Sequence, residues 1–202
     1  MARPPSIEDD KLTDLIVAVF RERGFVGTAI GDLSTASGLR RASLYHRFPA
    51  GKEQMAEVAL DTVGRRFRRI LEPMREDADV AAGIAETARR LGEFYGAGAL
   101  SCVLDTMTLA GAPAEIRDRA RSLATAWIDA MTDAARRAGH RPDAALRAAK
   151  DAFVRIEGAL VLGRVTGDTG AFAEAVALLP TLLMPEAADE RSGASLGAEL
   201  HP

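Results

Sequence analysis

Apolar residues recur at three- and four-residue intervals along most of this chain, the stripe of a helix with one buried face. The first stripe is Leu12, Leu15, Ile16, Val19 and Phe20. It predicts a helix over about 7–23, opened by Ser6 as cap with Glu8, Asp9 and Asp10 at its positive end, and closed by Gly24. Ahead of it, Pro4 and Pro5 mark a loose arm over 1–5.

Residues 28–52, TAIGDLSTASGLRRASLYHRFPAGK, are punctuated differently. Thr28 reads as the cap of a short helix with Ile30, Leu33 and Ala36 inward, and Gly38 turns the chain before Leu39. A second short helix over about 40–46 is anchored by Leu44, and Phe48, Pro49 and Gly51 close the unit. Two short helices about a glycine turn make a helix-turn-helix. Lys52 then opens a long helix through Met55, Val58, Ala59, Val63, Phe67, Ile70 and Leu71, which Pro73 should stop.

The remainder is longer helix. A stripe of Ile84, Ala85, Ala88, Leu91, Phe94 and Tyr95 runs to the break at 96–100, followed by a short apolar helix over 101–111. Pro113 opens a helix ending at Gly139, with Ile116, Ala120, Leu123, Trp127, Ile128 and Met131 inward. Residues 143–166 (Leu146, Ala149, Phe153, Ile156, Leu160, Val161, Val165) and 171–183 (Phe172, Val176, Leu179, Leu182, Leu183) complete the pattern. After Pro185 the composition turns to Ala, Gly, Ser and Glu, expected of a disordered tail.

Composition narrows the class. At 48% hydrophobic and 5% aromatic, with one cysteine, the chain suits an all-α protein of a reducing cytoplasm, without a disulfide framework or multi-cysteine metal site. Arg164, Glu174 and Pro180 interrupt the most apolar segments, and no membrane span is expected. Net charge is −3, but residues 1–75 hold 13 Lys+Arg against 10 Asp+Glu (+3) and residues 76–202 hold 13 against 19 (−6). A local excess of cations is what phosphate binding requires.

Thr28, Ile30, Leu33, Ala36, Gly38, Leu39, Ser43, Leu44, Tyr45, Phe48, Lys52 and Glu53 stand in one fixed register that resembles the TetR family of one-component bacterial regulators. The likeness is strong over about residues 10–60. The Phe-Pro-Ala-Gly-Lys-Glu segment and the glycine-rich apolar helix at 158–165 are similar to a branch tied to multidrug or small-molecule response. Arg40 stands where the family commonly has a capping serine, and Ala42 replaces a frequent glycine.

The resemblance implies an N-terminal three-helix DNA-binding domain (1–51), a connecting helix (52–72), a helical ligand-binding and dimerisation domain (73–185) and a tail (186–202). Expected DNA contacts are Thr28, Arg40, Arg41, Ser43, Tyr45, His46 and Lys52. Arg40 and Arg41 lie at the end of the recognition helix that enters the major groove, where arginine bonds a guanine edge or phosphate. Thr28 and Lys52 mark helix N-termini, which attract phosphate.

A ligand cavity is expected among Phe94, Tyr95, Cys102, Asp105, Met107, Trp127, Met131, Phe153 and Glu157. For any one of these, ordinary core packing competes with that role. Buried carboxylates at Asp105 and Glu157 would need a partner, from a cationic ligand, Arg155, Arg164 or water. Helices 143–166 and 171–183 would pair with their copies in a homodimer, since one helix-turn-helix reads only a half-site.

The expected function is therefore a cytoplasmic repressor that holds a palindromic DNA operator and is released by a small apolar effector. Control by a protein partner, or activation, is the alternative. The chain carries no nucleophile–His–acid set, metal-ligand spacing or phosphate-cradling glycine loop, so neither enzymatic activity nor a cofactor is expected.

Overall fold

The computed structural model describes residues 7–185, and the arm at 1–5, the cap at Ser6 and the tail at 186–202 lie outside them. Among the described residues the chain is helical throughout, with no strand. The first three helices are α1 (Asp9–Gly27), α2 (Ile30–Ser37) and α3 (Arg41–Arg47). The long α4 (Lys52–Glu76) leads to α5 (Val80–Phe94) and the short α6 (Val103–Met107). Two long helices follow, α7 (Ala114–Arg137) and α8 (Pro142–Thr166), and then α9 (Gly170–Ala177) and α10 (Leu179–Leu183). One apolar core runs unbroken from Leu12 to Leu183.

Helix α1 breaks where its glycine predicts, at Gly24 (φ 67°, ψ −179°), but one further turn continues to Gly27. Glycine is required twice over at this position. The backbone lies in a region closed to other residues, and a Cβ would sit 2.3 Å from the Thr106 carbonyl oxygen. Thr106 in turn donates its hydroxyl to the Phe20 carbonyl at 3.2 Å, so α6 is seated directly on α1.

Pro73 does not stop α4, which runs three residues further to Glu76. A proline inside a helix orphans the carbonyl four residues earlier. Here that carbonyl, on Arg69, accepts from Arg90 of α5 at 2.7 Å. Thr87 of α5 accepts from the Met74 amide at 3.1 Å, and Arg137 of α7 donates to the carbonyls of Met74 and Asp77. Neighbouring helices thus replace what the proline removes.

The expected helix at 101–111 contracts to Val103–Met107. The expected helix at 171–183 is two, broken at Leu178, because the Pro180 ring crowds the preceding turn. Two alanines expected inward, Ala36 and Ala85, are exposed. Alanine is small enough that periodicity alone misassigns it.

On α8 the expected face divides. Ala149, Ile156 and Leu160 are buried, while Leu146, Val161 and Val165 face outward together with Val154 and Leu162. The alanine-rich faces of α7 (Ala130, Ala134, Ala135) and α8 (Ala145, Ala149, Ala152) are buried, which permits a close helix pair.

Candidate nucleic-acid interface

The turn between α2 and α3 is fixed by small polar side chains. Gly38 takes the left-handed conformation (φ 70°) that ends α2, and Ser34 donates to the Leu39 carbonyl at 2.6 Å. Ser37 bonds the Leu33 carbonyl at 2.7 Å and accepts from the Leu39 amide at 3.3 Å. Leu33, Leu39, Leu44 and Phe48 are buried beneath this turn. Arg47 pins α3 to the start of α1, donating to the Ile7 carbonyl and to Asp9. These locks leave α3 one exposed side. Arg40, Arg41, Tyr45 and His46 are exposed on it, and Ser43 is half-buried.

Arg40, Arg41, Tyr45 and His46 make no side-chain hydrogen bond or ion pair among the described residues. The Arg41 guanidinium lies close over Gly31 of α2, with Nη2 3.0 Å from where a Cβ would stand. The Tyr45 ring, 48% exposed, rests against Gly51, where a Cβ would meet the ring at 3.1 Å.

Two of the expected contacts behave differently. Thr28 is not the cap of α2. It is 2% exposed, and its hydroxyl donates back to the Gly24 carbonyl at 2.6 Å. The cap position is Ala29, whose amide donates to Asp32 at 2.8 Å. Asp32 also pairs with Arg23 at 3.0 Å, joining α2 to α1. The Lys52 ammonium donates to the carbonyls of Phe25 and Thr28, both at 3.0 Å, and stands over the Phe25 ring. It bolts the start of α4 to the α1–α2 junction. Asp32 three residues after Ala29 was a readable capping signal, whereas the reach of Lys52 to Phe25 leaves no local trace in the chain.

Residues 12–59 match the family model of bacterial regulatory proteins, tetR family. The chain is a TetR-family regulator. As a member of this family it is a DNA-binding transcription factor and not an enzyme. The HTH-type transcriptional repressor KstR2 of Mycobacterium tuberculosis is 26% identical over 138 residues, 66% of this chain and 69% of that protein. The solved TetR transcriptional regulator of Legionella pneumophila superposes with a TM-score of 0.77, covering 89% of this chain and 98% of that one at 17% identity. The regulator CifR, solved with a 26-base-pair operator, superposes at 0.72 with 20% identity over 89% of this chain and 98% of its own. At such identities the two solved structures speak for the fold alone. No described helix is long and apolar enough to cross a membrane.

In this TetR-family chain the nine expected ligand residues separate into groups. Asp105, Phe153 and Glu157 line a cleft of about 380 Å³ between α6, α7 and α8, together with Leu104, Arg117 and Ala124. Phe94 lines a different cleft, beside α1. Tyr95, Cys102, Met107, Trp127 and Met131 are fully buried and line neither of these two clefts. Trp127 packs edge-on between Phe67 (4.7 Å) and Phe153 (5.0 Å), so it stands one layer behind the α6–α8 cleft. Tyr95 donates to the Cys102 sulfur at 3.4 Å, and burial pushes that thiol up to about 12, which leaves it unreactive.

Asp105 is paired with Arg164 at 2.9 Å, while Arg155 is taken by Asp151. Glu157 has no such partner among the described residues, and its Oε1 is buried without a hydrogen bond from any of them. Burial pushes this carboxyl up to about 7, with the neighbouring Cys102 thiol opposing the rise and Asp105 adding to it. Between its ordinary 4.5 and about 7 the folded chain holds a proton that the unfolded chain has released. Stability therefore falls as pH rises through this window and stays low above it. Glu157→Gln, which cannot ionise, is expected to melt higher than the parent at pH 8, by up to about 3 kcal/mol. The advantage should vanish below the window, at about pH 4. Parallel thermal melts check this, and an offset equal at both pH values contradicts it.

Proposed function

We propose that this regulator is a repressor that binds a palindromic operator as a homodimer and is released by a small apolar effector. The observation that carries the reading is the outward side of α3, where Arg40, Arg41, Tyr45 and His46 stand exposed without partners among the described residues while the apolar residues of the same segment are buried. In a helix-turn-helix the N-terminal part of the second helix meets base edges. Arg40, Arg41 and Ser43 take the bases and nearest phosphates, and Tyr45 and His46 the backbone. Thr28 and Lys52 serve by framing the head, with the N-terminus of α4 turned to phosphate.

Residues 1–51 act as the reading head, 52–72 as the lever and 73–185 as the effector and dimer region. Outward Val154, Val161, Leu162 and Val165 of α8, with Gly158 among them, form the apolar face that pairs with its copy, and exposed Leu178 at the end of α9 adds to the apolar surface. Val165 is 76% exposed, and it is the run of such residues on one side of α8, more than any one of them, that marks an interface. Pairing sets two reading heads roughly 34–36 Å apart or somewhat wider, the spacing of successive major grooves. An effector in the α6–α8 cleft that favours another spacing would release the operator, with a coupling of about 1–3 kcal/mol.

Gel mobility on DNA flanking the gene, with and without candidate effectors, tests the whole reading. Val165→Glu tests the dimer. It is expected to sediment as a folded monomer and to lose operator binding, and a dimeric Val165→Glu chain would remove α8 from the interface.

A further inference from the structure

A second cleft, of about 460 Å³, opens between α1 and the end of α5. Val17, Ala18 and Arg21 of α1 form one wall, Phe94 and Leu100 the other, and Arg66 of α4 closes one side. Two arginines and two carboxylates line it, but they do not pair off. Arg66 is paired with Asp14, and Glu22 lies 3.9 Å from Arg23. Arg21 has no ion pair among the described residues, and its Nε is buried without a hydrogen bond. The guanidinium carbon sits over the Phe94 ring, 4.7 Å from its centroid, and 5.9 Å from the centroid of Tyr95.

A cation on an aromatic face recovers only part of what burial costs it, and a missing hydrogen-bond partner adds to the cost. Val17, Ala18, Phe94, Ala99 and Leu100 give the cleft an apolar side, Asp14, Glu22, Arg66 and Ser101 line the remainder, and Leu100 stays 41% exposed. A planar fork of donors with no carboxylate, backed by hydrocarbon, fits a ligand with one carboxylate and an apolar tail.

We propose that this cleft is a second ligand site, taking a monoanionic amphiphile whose carboxylate is held by Arg21 and whose chain lies along Val17, Ala18 and Leu100. The volume falls in the range of small-molecule sites. One wall belongs to α1, within the DNA-binding family match, and the other to the helices beyond it. An occupant therefore bridges the reading head and the rest of the chain. If DNA alters its affinity, it alters DNA affinity by the same factor. The site stands whether or not the α6–α8 cleft takes an effector.

Decanoate is the probe, titrated calorimetrically into the full chain, with decanol and decylamine alongside. One decanoate per chain is expected, and decanol and decylamine should bind at least about tenfold more weakly, the scale of a charge-assisted hydrogen bond. Arg21→Met should lose decanoate by a similar factor. Ala18→Leu, which keeps the charge and fills the cleft, should lose it too, and melting curves check that both variants fold. A parent chain that takes no decanoate, or takes decanol equally well, overturns the proposal. So does undiminished binding by either folded variant, or a loss confined to Glu157→Leu, which would move the ligand to the other cleft.

Discussion

Arg41→Ala is expected to weaken operator binding on the order of 10²-fold or more while leaving the fold intact. An arginine gripping a guanine edge discriminates by about 1–3 kcal/mol, and a two-fold symmetric complex makes that grip twice. Arg41 is exposed and spends its guanidinium on no other residue among those described, so its removal costs the folded chain little. Salt titration separates the two things arginine does. If Arg41 grips a base, Arg41→Ala lowers affinity for the operator but not for random DNA. If Arg40 grips phosphate, Arg40→Ala lowers both and reduces the salt slope by about one per phosphate. Gly31→Ala supplies an independent check. Its new Cβ would stand 3.0 Å from Arg41 Nη2 and push the guanidinium aside, so it should weaken binding in the same direction. Operator affinity unchanged in both Arg41→Ala and Gly31→Ala would mean that α3 is not the reading element.

Gly24→Ala is expected to be the most destabilising single methyl in the molecule. The new residue would have to hold φ 67° with ψ −179°, at about 1–3 kcal/mol for a residue other than glycine. Its Cβ would also stand 2.3 Å from the Thr106 carbonyl oxygen, a backbone atom that cannot rotate away. Forcing α6 off α1 adds about 1–3 kcal/mol, the range seen for overpacked interiors. For a chain of this size about 4 kcal/mol corresponds to a melting temperature lower by about 10 °C. Thr106→Val removes only the bond to the Phe20 carbonyl and should cost about 1 kcal/mol. If Gly24→Ala melted within about 2 °C of the parent, the seat of α6 on α1 would be softer than its geometry indicates. The same seat links the reading head to the helices beyond it, so the surviving fraction of Gly24→Ala should also respond less to an effector.

Much of this molecule was readable one residue at a time. Helix breaks at Gly24, Gly38 and Gly139 follow from local conformational freedom, and the register from Ile30 to Phe48 follows from a 3.6-residue period laid on two short helices. The exposed cations of α3 were legible because nothing acidic stands within a helical turn of them. Where sequence reading erred, the deciding partner was distant in the chain. Pro73 fails to end α4 because Arg90 and Arg137 satisfy the carbonyls around it. Lys52 is occupied by carbonyls 24 and 27 residues away, and Thr28 is buried. Among the expected ligand residues, type alone did not separate a cleft wall such as Phe153 from a core layer such as Trp127, since both are aromatic on the apolar face of a long helix.

The amino-acid sequence by itself determined the helices, the helix-turn-helix and its family, because each rests on interactions that close within a few residues. Only the tertiary structure decided which charged groups go without a partner. Among the described residues Glu157 is unpaired while Asp105 is paired, and Arg21 is unpaired while Arg66 is paired. Solvation and pairing depend on what other helices bring to within a few ångströms, and no local pattern carries that distance.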